Sequence, residues 1–438
     1  MSRALTRLVS LLAVAASPAA AQDAADSVPV SYEVNGLRII HLRRPTTTDV
    51  IAVSLYFLGG ARTVTNANAG IEPLVLMASQ YGTKNYPAEA ARRALARTGS
   101  RITVAPESDW TVFTVHGVKQ EFDSTWAVFA DRVMHPTLDS ASVSIVRKRM
   151  LGAVARRLAS PEDQLDALAD SIAFRGHPYA VSPSGNETSL KALTTADLHG
   201  FVRDQFVTSR MLMVLVGDVP RAQVEGAVTR TLGTLPKGTY SWTLPPPVRP
   251  SKPEFIVADR MTHTDYILGY IGGPERSSPQ YPAFERTMSL LSGWINYEVR
   301  ERNGLSYAAH VRLMERGAPG GAIYMSTTRP DTAMKLVHAI IKRFDENISI
   351  PRYILQRSAK SFDAAYLYAT ESASAHADLL ARAQLYDGDF RVAARQGEIM
   401  SKVAFLDIRR TVREYVRNIQ YAFVGDTTRL PREQFTKR

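Results

Sequence analysis

The sequence predicts an α+β protein made of two duplicated homologous domains, each a mostly antiparallel sheet with helices packed on it. Three observations carry this. Two Gly-Gly pairs, each closing a β-rich run, stand at Gly59-Gly60 and Gly272-Gly273, 213 residues apart. Two Val-Gly-Asp triplets, each closing a short apolar strand, begin at Val216 and Val424, 208 residues apart. Between the copies, Leu244 to Glu254 reads LPPPVRPSKPE, whose prolines make an extended, semi-rigid linker. Two landmarks at nearly one offset are what a duplication leaves behind. The implied domains are 22–243 and 255–438, joined by the linker 244–254.

The chain opens with MSRALTRLVSLLAVAASPAAAQ. Arg3 and Arg7 precede an apolar run from Leu8 to Ala16, acids are absent, and small residues stand at Ala19 and Ala21. That is the pattern of a secretory signal (residues 1–21) rather than of a mitochondrial presequence, and it predicts export, in a bacterium to the periplasm. No later stretch approaches the ~18 apolar residues that span a bilayer. Without the leader's two arginines the formal charge falls from +11 to +9. The cations are spread along the chain with no basic block interleaved with aromatics, so nucleic-acid binding is not indicated. The chain has no cysteine, which excludes disulfides and thiolate metal sites.

Within the first copy, Tyr32 to Leu58 clusters β-formers as two strands (IIHLRR and DVIAVSLYFL). A helix follows from Ile71 to Gln80. Pro87 to Arg97 is Ala-rich, with Pro at its start and Gly99 after its end, as a short helix requires. Strands recur at Ile102 to Val104 and Trp110 to Val115. Phe122, Trp126, Phe129 and Val133 then share one helical face, and Val143, Val146, Met150, Val154 and Leu158 continue that spacing in a long helix. MLMVLV closes the copy as a strand. The second copy repeats the order: strand Tyr266 to Ile271, helix, strands around Ala308 to Leu313 and Ala322 to Thr327, helix Met334 to Phe344, long helices, and the strand YAFV.

Catalytic signatures are few. There is no Gly-x-Ser-x-Gly elbow, no phosphate-binding glycine loop and no dinucleotide fingerprint. Of the nine histidines the nearest two, His116 and His135, are 19 residues apart, so no helix can present two of them one turn apart as a zinc pair.

Three stretches, LYFLGGARTVTNANAGIEPLVLMAS, HPYAVSPSGNETSLKALTTADLHGFVRDQF followed by MLMVLVGD, and YEVRERNGLSYAAHV, together resemble the insulinase and pitrilysin family of zinc peptidases over essentially the whole mature chain. The resemblance implies half of a clamshell chamber. It also implies where the zinc motif, His-x-x-Glu-His on the first helix, would stand. That register gives Gly70, Ile71, Glu72, Pro73, Leu74, Val75, Leu76 and Met77, so Pro73 and Met77 replace the histidines and Leu76 the general base. The third ligand, a glutamate on the long helix, falls at Gly152 or Ala153. His177 belongs to the family's His-Pro-Tyr turn. In the second copy, Arg300 and Tyr307 match the arginine and tyrosine that grip the substrate backbone in family members.

Bacterial members of the family often work as two chains, one with the zinc motif and one with only the Arg/Tyr pair, and this sequence has the second profile. Mitochondrial processing peptidase divides the work similarly, but its non-catalytic subunit has a glycine-rich loop where LLSGWINYEV offers only Gly293. The expectation is a non-catalytic subunit with no metal of its own. It would bind peptide or unfolded protein and complete the active site of a zinc-bearing paralogue. An inert scaffold, as in family members built into respiratory complexes, is the alternative. Peptide binding by strand addition would use an exposed sheet edge, expected at Trp110 to Val115.

Overall fold

The computed structural model describes residues 28–45, 49–346 and 351–437; the predicted signal segment lies outside them. Two sheets form the frame. The first holds β1 (Val30–Val34), β2 (Leu37–Leu42), β3 (Val50–Leu58), β4 (Arg101–Pro106), β5 (Trp110–Val118) and β6 (Met211–Val216), in the order β1-β2-β6-β3-β5-β4. The second holds β7 (Glu254–Asp259), β8 (Asp265–Gly272), β9 (Ala308–Met314), β10 (Gly320–Thr327) and β11 (Gln420–Gly425), in the order β7-β11-β8-β10-β9. Remove β1 and the two orders are the same. The pairing sense agrees too: β2 with β6 and β7 with β11 are parallel, and the other neighbours antiparallel. The duplication read from the sequence is therefore a duplication of topology.

The region before Gly59 holds three strands where two were expected. Asn35 and Gly36, both at positive φ (49° and 84°), turn β1 back onto β2 with Val34 opposite Leu37, the geometry of a two-residue hairpin. The expected edge at Trp110 to Val115 is also corrected. It is interior, since β5 pairs with β3 on one side and β4 on the other, and the edges of that sheet are β1 and β4. Trp110 and Val112 pack against helix residues of the second half while Phe113 and Val115 face the core of the first, and coverage of a strand's faces does not report its lateral neighbours.

Helices of each half pack on their own sheet. In the first these are α1 (Ile71–Ala78), α2 (Ala88–Arg97), α3 (Phe122–Met134), α4 (Ser140–Ala159), α5 (Pro161–Ala173), α6 (Glu187–Ala192), α7 (Thr195–Gln205) and α8 (Arg221–Arg230). In the second they are α9 (Tyr281–Ile295), α10 (Pro330–Glu346), α11 (Arg352–Glu371), α12 (Ala373–Asp387), α13 (Gln396–Ser401), α14 (Phe405–Tyr415) and α15 (Arg432–Phe435). Two helices break the separation. α5 places Leu165 and Ala169 against Leu268, Ala322, Ala422 and Val424 of the second sheet. α12 places Ala377, Leu380 and Ala381 against Tyr56, Trp110, Leu212 and Val214 of the first. Each half lends a helix to the other, so both faces of both sheets are covered, and MLMVLV can be apolar at every position because β6 is buried throughout.

The connection 235–253 is strapped down. The Trp242 indole N–H donates to the Leu385 carbonyl at 2.7 Å, and the Arg62 guanidinium stacks 4.5 Å over the Trp242 ring. Glu254 opens β7. Among the described residues no helix is long and apolar enough to cross a membrane.

Candidate functional site

α1, the helix that the resemblance assigns to the zinc motif, follows a turn closed by Gly70 at φ 89°. Pro73 sits in its first turn, where a missing N–H breaks no intrahelical bond. Ile71, Glu72, Pro73, Leu74, Val75 and Leu76 are buried and Met77 is half-buried. Ile71, Leu74, Val75 and Leu76 belong to the main core of the first half, so the positions of the second motif histidine's neighbours serve packing. Glu72 is held by Arg210, whose Nη2 lies 2.6 Å away with both side chains almost wholly inaccessible. Arg210 also donates through Nε to the Leu58 carbonyl (2.7 Å) and through Nη2 to the Thr63 hydroxyl (3.1 Å). Burial pushes the Glu72 carboxyl up, against the opposing pull of Arg210. At the other end, Arg132 donates to the Leu76 carbonyl (3.1 Å) and to the Ser79 hydroxyl (3.0 Å). A buried guanidinium thereby satisfies carbonyl and hydroxyl groups at the helix terminus, and desolvation lowers its pKa to about 10.

Gly152 lies on α4, half-buried, and a Cβ built there would meet Arg156 Nη1 at 3.4 Å. Among the described residues no three His, Cys, Asp or Glu side chains come together as metal ligands would. His177 has a turn role: its Nδ1 accepts from the Tyr179 N–H at 3.2 Å, and its Nε2 lies 3.2 Å from the Pro246 carbonyl.

In the second half the structure brings Arg300 and Tyr307 together. The Arg300 guanidinium carbon lies 5.6 Å from the centre of the Tyr307 ring, and Tyr307 is 86 % exposed. Local structure fixes both. α9 passes into a π-helical segment, Asn296–Arg302, which buries Glu298 and Val299 while turning Arg300 outward. Glu298, 5 % exposed, pairs with Arg302 at 3.2 Å, and its carbonyl accepts from Asn303 Nδ2 at 2.7 Å. Gly304 takes φ 57°, the Ser306 hydroxyl donates to the Ser326 carbonyl (2.7 Å), and the Thr327 hydroxyl donates to the Leu305 carbonyl (2.5 Å). The loop from Asn303 to Tyr307 is pinned on both sides of an exposed ring and cation. Sequence spacing pointed to the pair but not to Glu298, which reads as an ordinary helix acid.

Sequence reasoning also missed Asp109, 1 % exposed. Its carboxylate accepts from the Tyr179 hydroxyl (2.7 Å), the Tyr386 hydroxyl (2.9 Å) and the Gly317 N–H (2.8 Å). Tyr179 belongs to the first half, Gly317 and Tyr386 to the second. Burial and the Asp109 charge push both phenols up, so they remain donors. Nothing in the run PESDWTVF marks that aspartate as a junction.

The geometry defines a class: a duplicated, helix-exchanged α+β fold in which α1 is part of the core. The chain belongs to the M16 peptidase family. Residues 39–187 match the family described as Insulinase (Peptidase family M16), and residues 192–360 match the Peptidase M16 inactive domain. It is similar to the probable mitochondrial-processing peptidase subunit beta of Schizosaccharomyces pombe, 21% identical over 89% of this chain and 90% of that one. It is also similar to cytochrome b-c1 complex subunit 1 of Homo sapiens, 24% identical over 60% of this chain and 55% of that one. The chain spans about half the length of the four mammalian b-c1 subunits it matches. Among solved structures, a peptidase M16 inactive domain from Pseudomonas fluorescens shares the fold with TM-score 0.80 at 17% identity, covering 91% of this chain and 98% of that one.

Proposed function

We propose that this chain is the non-catalytic, exported subunit of a two-chain zinc peptidase. It binds peptide and supplies Arg300 and Tyr307 to an active site whose zinc is carried by a paralogous partner. The observation that carries the reading is the contrast between the halves: Pro73 and Leu76 are given over to packing, while Arg300 and Tyr307 meet on an exposed, braced loop. A guanidinium offers forked donors to peptide carbonyls, and a phenol can donate to the oxyanion of a tetrahedral intermediate. The pairing is supported by the relatives named as peptidase subunits, and strand addition would use β4, an edge of the first sheet.

The test is reconstitution with a paralogue bearing an intact zinc motif, followed by peptide cleavage. Arg300→Ala and Tyr307→Phe should each lower turnover of the complex by about tenfold or more, on the scale of a lost oxyanion donor. Unchanged turnover in both would refute the role. The similarity to cytochrome b-c1 subunit 1 favours a second reading, an inert scaffold. On that reading, both variants would leave assembly intact and no peptide would be cleaved.

A further inference from the structure

α4 carries Arg147, Lys148, Arg149, Arg156 and Arg157 and no acid. Basic side chains on other exposed helices are commonly matched by acids a turn away: Lys191 with Glu187 at 2.6 Å, Arg221 with Glu225 at 2.8 Å, Lys335 with Asp331 at 2.6 Å, Lys402 with Glu398 at 2.7 Å. None of the five on α4 makes an ion pair among the described residues. Apart from Asp163, which lines a cleft with Arg157 and Leu158 on the other side of the helix, acids on α4's neighbours are committed elsewhere. Asp139 caps the helix through Ser142, Glu72 is held by Arg210, Asp166 by Arg312 and Asp170 by Arg316, and Glu162 accepts from Tyr324.

Two of the five cations share a face. Positions 145, 149, 152 and 156 advance by alternating steps of four and three, one stripe of a helix, and Lys148 flanks it. Along that stripe Arg149 donates to the Tyr81 hydroxyl at 2.7 Å, just beyond α1, and Arg156 folds back beside Gly152. The stripe also exposes Ile145 (47 %). No acid on α4 balances these charges, and an anion would.

We infer that this face of α4 is a recognition surface for acidic, extended peptide segments, with Lys148, Arg149 and Arg156 pairing with carboxylates and Ile145 contacting an apolar residue between them. The inference rests on the peptide-binding reading above only for its choice of ligand.

The experiment needs no partner chain and reads no turnover, so its failure is separable from that of the reconstitution test. Fluorescein-labelled, C-terminally amidated peptides of alternating Glu and Leu, Gln and Leu, or Lys and Leu would be titrated with the purified chain by anisotropy. A Gln/Leu peptide with a free carboxyl terminus and a single-stranded oligonucleotide competitor complete the set. The Glu/Leu peptide should bind tightest and weaken at 0.5 M salt, where exposed charges are screened. The double variant Arg149→Glu, Arg156→Glu, checked for native circular dichroism, should weaken it by about tenfold, the sum of two surface pairs lost and reversed. Equal binding of the Gln/Leu peptide, an unaffected double variant, a preference for the free carboxyl terminus, or displacement by the oligonucleotide at lower concentration than by unlabelled Glu/Leu peptide would each overturn the inference.

Discussion

Asp109 is where the two halves are most exposed to a single substitution. Its carboxylate is buried and accepts three hydrogen bonds, from Tyr179, Tyr386 and Gly317, with the Arg62 guanidinium 3.8 Å away. Asp109→Ala strands two phenol hydroxyls and a backbone N–H in a site water cannot readily reach. Each buried donor left unmatched costs roughly 1–3 kcal/mol. Local relaxation and the relief of the buried charge's own desolvation bring the expected total to about 3–5 kcal/mol, the range for breaking a buried charged network. Asp109→Asn keeps the shape but turns one acceptor into a donor facing donors, and should cost about 2 kcal/mol. The assay is thermal unfolding followed by circular dichroism, with limited proteolysis of the 235–253 connection alongside. At roughly 2–4 °C per kcal/mol for large domains, the Ala variant should melt at least ~6 °C lower, and the strap should be cut faster because Trp242 is anchored on Leu385 just beside Tyr386. Tyr179→Phe and Tyr386→Phe should each be mild, and their costs should fail to add to that of Asp109→Ala. An Ala variant within ~1 kcal/mol of the parent, with an unchanged cleavage rate, would refute the claim that this carboxylate joins the halves.

Three further outcomes are expected. Glu285 faces a cleft of about 780 Å³ with Ser292, His310, Tyr366 and Gln396; burial, followed by repulsion from Glu315 and Asp387, raises its pKa to about 7 from an ordinary value of 4.5. The native state then holds a proton that the unfolded chain has released, so stability falls as pH rises from about 4.5 to 7, by up to ~3 kcal/mol, and Glu285→Gln should flatten that slope in denaturation measured across the window. His376 shows the opposite sign: burial, then Arg44, lowers its pKa to about 4 from 6.5, so stability falls as pH drops from 6.5 to 4, and His376→Gln should reduce the acid sensitivity in the same assay. Leu76, 0 % exposed in the first half's core, should cost about 2–5 kcal/mol as Leu76→Ala in urea denaturation; a loss below ~1 kcal/mol would mean that α1 is not the packing element described.

The fold was legible where local chemistry fixes it. Gly-Gly after a strand and Val-Gly-Asp at the end of one are punctuation marks, and their common offset survives any drift in the residues between them, so the duplication and the α+β class could be read directly. What local pattern cannot report is which sheet a helix covers. The Leu165 and Ala169 face of α5 looks the same whether it meets its own sheet or its neighbour's, and the sequence therefore suggested two self-contained halves where α5 and α12 are exchanged. The same blindness explains the misplaced edge. Trp110 and Val112 are apolar because α12, more than 250 residues later, lies on them, and a strand's lateral partners leave no trace in its own residues. At the site, the seven-residue interval from Arg300 to Tyr307 could be read, but the π-helical turn that aims Arg300 depends on the longer-range burial of Glu298 and Val299.

The helix that the resemblance assigns to the zinc motif keeps its place without relying on the side chains at positions 73, 76 and 77 for its tethers. α1 is tied at one end through Glu72 and Arg210 to the Leu58 carbonyl and the Thr63 hydroxyl, and at the other through Arg132 to the Leu76 carbonyl. Neither tether uses residues 73, 76 or 77 as side chains. A helix held by its ends and by Ile71, Leu74 and Val75 tolerates proline in its first turn and methionine on its half-exposed flank, because nothing in the fold depends on what those positions could bind. The loop of Arg300 and Tyr307 is built the other way. Ser306, Thr327, Asn303 and Glu298 spend their hydrogen bonds holding a cation and a phenol that themselves make no hydrogen bond within the described residues. Bracing of that kind stabilises a conformation of the loop rather than a core, and a selective advantage for it is easiest to understand if the two exposed groups meet something outside this chain.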